Sequence, residues 1–262
     1  MSLRSSTVPA RFTRALCRLP GPDAAAGLTT STLGPPDQVR LLAQHAAYVA
    51  ALRALGLEVE VLPPLPGHPD AYFVEDPAVV VPELAVVTRP GAPARRGEAA
   101  ALAPALARHR PLAAIEGPGT LDGGDVLVVG HRVLVGRSER TNQAGIDGLG
   151  RLLAPHGYQV TAVPVGAGLH LKSSVNWVGG DTLVVAADFE ARAALAPFRL
   201  LELDPSEGYA ANVLWVNGAL LLPSGFPRTR ALLASLGLPL VELDTSEIRK
   251  MDGGLTCLSV RF

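Results

Sequence analysis

Cysteine is nearly absent from this 262-residue chain: Cys17 and Cys257 are the only two, and they lie far apart. Two such residues build no disulfide framework and fit a reducing compartment, so a cytoplasmic protein is expected. Aromatic residues make up only 5%, which leaves an aliphatic core. Charge is sparse at 18% and balanced, 23 Lys and Arg against 24 Asp and Glu, for a formal net charge of −1. Proteins that grip nucleic acid carry a clustered positive excess, so no nucleic-acid partner is expected. No apolar run reaches the roughly 18 residues of a transmembrane helix, so no membrane partner is expected either. Met1 to Ala10 is polar and lacks an apolar h-region, and is read as carrying no signal peptide. GxGxxG, GxxxxGK[ST] and GxSxG are all missing, which argues against a nucleotide cofactor and a serine-hydrolase elbow. HxxxH, CxxC and DxDxDG are missing too, so no metal is expected.

What is present is a hydrophobic fraction of 48%, enough for a large packed core. No linker or shift in composition divides the chain, which reads as one domain over 1–262. Residues 37–55 predict a helix, capped by Asp37 after Pro35-Pro36 and stopped at Gly56, with Val39, Leu42, Ala46, Val49 and Leu52 at helical spacing. A second helix is predicted over 141–155, and weaker ones over about 95–109, 188–197 and 227–236. Short β-branched runs at 58–62, 84–88, 125–129, 132–136, 183–186, 213–217 and 219–222 predict strands. Gly130-His131 and Asn217-Gly218 each separate two apolar runs and predict hairpins.

A turn bearing Asp, Asn or Gly followed by an apolar run recurs five times. Its markers are Asp76, Asp125, Asp181, Asn217 and Gly254, at spacings of 49, 56, 36 and 37. Helical patterns fall in the gaps. Irregular strand-strand-helix-strand units in series predict a circular array.

Few residues suit covalent chemistry. A cysteine in an apolar strand is usually inert packing. Cys257, however, lies three residues after Gly254 of Asp252-Gly253-Gly254, a turn that lets backbone approach a ligand. Cys17 has no such setting and is read as packing. His170 stands between Gly-rich and Ser-rich turns, and a cysteine with a distant histidine is a candidate nucleophile pair. The other histidines are given no role. Asp70, Glu75 and Asp76 cluster within seven residues, and Asp122 and Asp125 flank Gly123-Gly124. These carboxylates read as turn caps or, around one pocket, as a cradle for a planar guanidinium.

The chain resembles the dimethylarginine dimethylaminohydrolases of the guanidino-group-modifying (pentein) superfamily. The segments that carry the likeness include GLTTSTLG (27–34), HPDAYFVEDP (68–77), PGTLDGGDVL (118–127), GRSERTNQAG (136–145), LHLKSSV (169–175), GYAANVLWVN (208–217) and LDTSEIRKMDGGLTCLSVRF (243–262). They run through nearly the whole chain in family order. The resemblance implies a five-bladed α/β propeller and hydrolysis of Nω-methylated L-arginines to L-citrulline and an amine, with no cofactor. It implies Cys257 as nucleophile, His170 as general acid and base, and Asp122 as the group that orients His170. Glu75 and Asp76 would face the guanidinium. Asp70, with the backbone of Leu28 and Met251, would hold the α-amino group. Arg95 and Arg140 would hold the α-carboxylate. The loop from Gly27 to Gly34 reads as a lid. The implied partner is a small-molecule methylated arginine, and a homodimer stays open. Alternatives are an arginine deiminase-like or other alkylguanidine hydrolase, against which the chain lacks a long helical insertion, and a non-catalytic binding protein for arginine analogues.

Overall fold

A computed structural model describes residues 11–166 and 170–262, so the signal-peptide reading of 1–10 lies outside the described residues. Strand β1 (Arg14–Arg18) is followed by helix α1 (Gln38–Ala54) and a parallel strand β2 (Glu58–Leu62). The next unit is a hairpin of β3 (Ala78–Val80) and β4 (Ala85–Val87), then α2 (Arg96–Ala107) and β5 (Leu112–Ala114), parallel to β4. The pattern repeats as β6 (Val126–Val129), β7 (Arg132–Arg137), α3 (Gln143–Leu153) and β8 (Gln159–Pro164). It recurs as β9 (Val175–Gly179), β10 (Thr182–Val185) and β11 (Arg199–Glu202). The next unit holds β12 (Leu214–Val216), β13 (Ala219–Pro223), α4 (Pro227–Ala234) and β14 (Leu240–Leu243). Finally β15 (Val260–Arg261) pairs antiparallel with β1, so both ends of the chain complete one sheet.

The result is five three-stranded sheets, four of them ββαβ units and the β9–β11 sheet with a 3-10 turn in place of the helix, arranged as a five-bladed α/β propeller. The leading strands β3, β6, β9, β12 and β15 all contribute to the lining of one central cavity of about 530 Å³. Packed aliphatic clusters fill the spaces beside and between the sheets. Among the described residues no helix is long and apolar enough to cross a membrane.

Local sequence explains most elements. Asp37 caps α1 by accepting from the Arg40 amide at 2.8 Å, and Asn142, one residue later than expected, caps α3 through the Gly145 amide at 2.8 Å. Both expected hairpins form, and Asn217 and Gly218 take φ of 48° and 91°, the left-handed pair such a turn requires.

Three expectations need correction. The buried face of α1 is Leu41, His45, Tyr48, Val49 and Leu52, while Val39 is 78% exposed and Leu42 also faces solvent. Val49 and Leu52 of the spaced set are buried, but the helix is apolar on more than one side, so spacing alone does not pick out the whole buried stripe. The helix expected over 188–197 is a single 3-10 turn, Arg192–Leu195. The apolar run after Gly254 does not form a strand at once: Thr256–Leu258 is a 3-10 turn, and Cys257 sits on it.

Closure by the C-terminal strand has a measurable weight. Val260 and Phe262 are buried, and the Phe262 carbonyl accepts from the Thr13 and Arg14 amides. Burying each such side chain contributes about 1.5–3 kcal/mol. Truncation after Ser259 should therefore lower the thermal midpoint by roughly 10 °C or more in a melting experiment.

Candidate active site

Five short segments end at the same mouth of the propeller, each just before a leading strand: Asp76 before β3, Asp122 before β6, His170 before β9, Asn212 before β12 and Cys257 before β15. This repetition brings together residues that are remote in sequence. Asp76, Asp122, His170 and Cys257 line one small cavity of about 40 Å³, with Asp70, Arg95 and Arg140 on its walls and Leu28, Met251 and Asp252 at its cover.

His170 is the centre of the site. One ring nitrogen, Nε2, lies 3.0 Å from Asp122 Oδ2 and 3.8 Å from Asp76 Oδ1. Burial alone would lower its pKa. The charge of Asp76, the hydrogen bond to Asp122 and the charge of Asp125 outweigh it and raise the imidazole to about 9. The free site therefore holds an imidazolium at neutral pH. Asp122 is fixed in turn, with Oδ1 accepting from the Gly91 amide at 2.8 Å. The turn Asp122-Gly123-Gly124-Asp125 explains its glycines: a methyl group on Gly124 would lie 2.7 Å from His170 Nδ1 and from Asp76 Oδ1. Asp125 anchors the histidine segment, since its Oδ1 accepts from the Leu171 amide at 2.9 Å.

Cys257 is half-buried, with its amide bonded to the Gly254 carbonyl. Burial, then the charges of Glu75 and Asp76, push its thiol up to about 12. The resting site thus pairs a neutral thiol with a cationic imidazole. Asp76 is the opposite case. Burial opposes its ionisation, but the His170 and Arg95 charges bring its carboxyl down to about 2. It accepts from the Gly124 amide and from Arg95 Nη1. Asp76, Asp122 and His170 also bring one ligand atom each within 4.8 Å of one another. Their oxygens already accept from Arg95, from backbone amides and from the imidazolium, an arrangement satisfied by protein donors.

Comparisons with known proteins place the chain in a family. Residues 36–194 match the family model described as N,N dimethylarginine dimethylhydrolase, eukaryotic. The N(G),N(G)-dimethylarginine dimethylaminohydrolase of Streptomyces coelicolor is 42% identical, covering 95% of this chain and 96% of that protein. That of Pseudomonas aeruginosa is 39% identical, covering 96% of this chain and all of that protein. A solved structure of a cysteine-to-serine mutant of the Pseudomonas enzyme complexed with citrulline superposes with a TM-score of 0.94 at 38% identity, over 97% of this chain and 100% of that one. The chain belongs to the dimethylarginine dimethylaminohydrolase family.

The structure places the remaining candidate residues as follows. Arg95 lines the cavity, but Nε and Nη2 are spent on Glu98, and Nη1 on Asp76, with further bonds from Nη2 to the Asp70 and Phe73 carbonyls. It acts here as a clamp on Asp76. Glu75 does not line this cavity. Its Oε1 accepts from Lys172 Nζ at 2.7 Å and Arg261 Nη2 at 3.1 Å, on the far side of the wall. Arg140 lines the cavity, and among the described residues its guanidinium has no hydrogen-bond partner. Asp70 accepts from the Leu28 amide through both oxygens at 3.1 Å. Leu28 and Met251 lie against the same cavity, at its cover.

Sequence reasoning missed two members of this dimethylarginine dimethylaminohydrolase site. Asp252, at φ 56°, accepts from the Thr30 amide at 2.5 Å and from the Thr29 and Thr30 hydroxyls, pinning the 27–34 loop over the cavity. Asn212 bonds the Lys172 carbonyl and both the amide and the hydroxyl of Thr256, tying the histidine and cysteine segments together. The turn before Cys257 lines the cavity through Asp252 and Gly253, and its glycines are also required by packing. A methyl group on Gly253 would meet Phe73 at 2.3 Å, and one on Gly254 would meet Asn212 at 2.3 Å.

The charge balance around His170 is directly testable. In the wild type its ring should titrate near pH 9 by NMR, and any stability that its charge lends the fold is lost as pH rises through that value. Asp122→Asn removes a charge and the acceptor of the imidazolium proton, so the titration should move down measurably, toward the ordinary histidine value of about 6.5. An unchanged midpoint in Asp122→Asn would refute the assignment.

Proposed function

We propose that this chain hydrolyses Nω-methylated L-arginines to L-citrulline and methylamine or dimethylamine through a covalent intermediate on Cys257. The observation that carries the reading is the meeting of a thiol, an imidazolium and buried carboxylates in one small cavity. Family membership supports it, as does the Pseudomonas mutant complexed with citrulline. The two free cysteines support a cytoplasmic setting, and the shared terminal sheet supports a single catalytic domain over 1–262.

The substrate carbon is flanked by three nitrogens and resonance makes it a weak electrophile, so a thiolate is the competent attacker. In the free site the thiol stays protonated. A bound guanidinium brings a positive charge beside sulfur and favours thiolate, with the released proton passing to solvent. Asp76 is the carboxylate that pairs with the cationic head. Sulfur then bonds to the guanidinium carbon. His170 gives its proton to the departing amine, the carbon–nitrogen bond breaks, and a thiouronium remains on Cys257. Neutral His170 next takes a proton from water, the resulting hydroxide adds to carbon, and the carbon–sulfur bond breaks to release citrulline. Asp122 holds the ring and balances the imidazolium at each stage.

At the other end of the substrate, Arg140 holds the α-carboxylate, and Asp70 with the Leu28 and Met251 carbonyls holds the α-ammonium. Arg95 contributes by keeping Asp76 ionised and in place. A cavity of about 40 Å³ has room for a water molecule or two, not an amino acid. Entry therefore requires the 27–34 loop to lift, breaking the bonds from Thr29 and Thr30 to Asp252.

The wild type should convert asymmetric dimethylarginine to citrulline with stoichiometric dimethylamine, quantified by chromatography. Cys257→Ser should lose roughly 10⁴-fold or more in kcat. Ammonia from arginine as the preferred reaction, or substantial turnover by the serine variant, would overturn the reading. In steady-state assays Arg140→Ala should raise KM about ten- to a hundredfold with little change in kcat, as the loss of one charge-assisted contact dictates. Asp252→Ala should speed protease cleavage within 27–34 and weaken its suppression by citrulline; unchanged cleavage would remove the lid.

A further inference from the structure

A second, much roomier cavity lies apart from the one that holds Cys257. The central channel, about 530 Å³, lies back to back with the catalytic cavity and shares its wall. Neighbouring residues face opposite ways across that wall: Asp76 and Cys257 line the catalytic cavity, Glu75 and Thr256 the channel. The volume falls in the range of small-molecule sites.

Its chemistry is graded along its length. Exposed Pro82, Glu83 and His131 form the rim. Aliphatic and aromatic side chains form the walls, including Val128 and both tryptophans, Trp177 and Trp215, whose rings stand 4.8 Å apart. The floor is charged and buried. Lys172 and Arg261 both bond Oε1 of Glu75, so two cations share one carboxylate. Lys172 Nζ makes no other hydrogen bond among the described residues, and Glu75 Oε2 is buried without a partner. The side chain of Lys172 is 9% exposed, and an ammonium so enclosed normally spends its three donors.

We infer that this channel is a second ligand site, for a slender apolar molecule ending in a carboxylate. The walls take the apolar shaft. The carboxylate answers the surplus positive charge of the floor and accepts from Lys172. A cationic head would sit beside two existing cations, which charge repulsion disfavours.

The protein's two tryptophans both line the channel, so intrinsic fluorescence reports on its occupancy. The probe is 6-phenylhexanoate, with 6-phenylhexan-1-ol and 6-phenylhexan-1-amine as controls. The carboxylate should give a saturable change with a Kd on the order of 1 mM or below, and at least tenfold tighter binding than either control. Lys172→Gln should weaken binding at least tenfold. Val128→Phe, which leaves the floor intact and fills the walls, should abolish it. Binding should be unchanged in Cys257→Ser and with saturating citrulline, which separates this site from the catalytic one and keeps the test independent of the proposed reaction. The inference fails if no saturable change appears up to 20 mM probe (about twentyfold above the expected Kd), if amine and carboxylate bind alike, if citrulline competes, or if both channel variants bind like the wild type.

Discussion

A buried positive charge on His170, held between Asp76 and Asp122, organises the catalytic end of this protein. Burying an imidazolium is costly unless its charge is balanced and its protons are bonded. Both conditions are met by side chains from neighbouring blades, with the Asp125 anchor holding the ring in reach. Burial, with the charges of Glu75 and Asp76, opposes ionisation of Cys257, so the resting pair is imidazolium and thiol. In the proposed reaction such a site gains its thiolate from a cationic ligand, which would couple recognition of the guanidinium to activation of Cys257.

The supporting arrangement is a chain of charges. Glu98 and Asp76 saturate Arg95, Arg95 and Gly124 fix Asp76, and Asp76 faces His170. Across the shared wall, Glu75 is held by Lys172 and Arg261. Asp76, Glu98, Glu75 and Arg95 are buried, and removing Arg95 would leave two buried carboxylates without their cation, so this part of the network resists piecemeal change. Its rigidity contrasts with the cover, where exposed threonine hydroxyls and one aspartate hold a surface loop.

Much of the fold is written locally. The caps at Asp37 and Asn142, the Asn217-Gly218 turn and the β-branched runs each act over a few residues, so their signals survive in the linear chain. Failures occurred where the decision is not local. The buried face of α1 depends on what packs against it, and an Ala-rich helix offers more than one apolar stripe. Cys257 lies on a tight turn because β15 must reach β1 at the opposite end of the chain, which the apolar run DGGLTCLSV does not reveal.

The sequence by itself determined the five-unit rhythm, the family resemblance and the identity of the reactive groups, because each is a pattern of residue types at short range. Only the tertiary structure decided what those groups face. It turned Glu75 away from Asp76, committed Arg95 to Asp76 and Glu98, and gave Asp252 and Asn212 their positions at the site. Those outcomes depend on distances between residues tens to hundreds of positions apart, and such distances exist only once the five blades have closed into a ring.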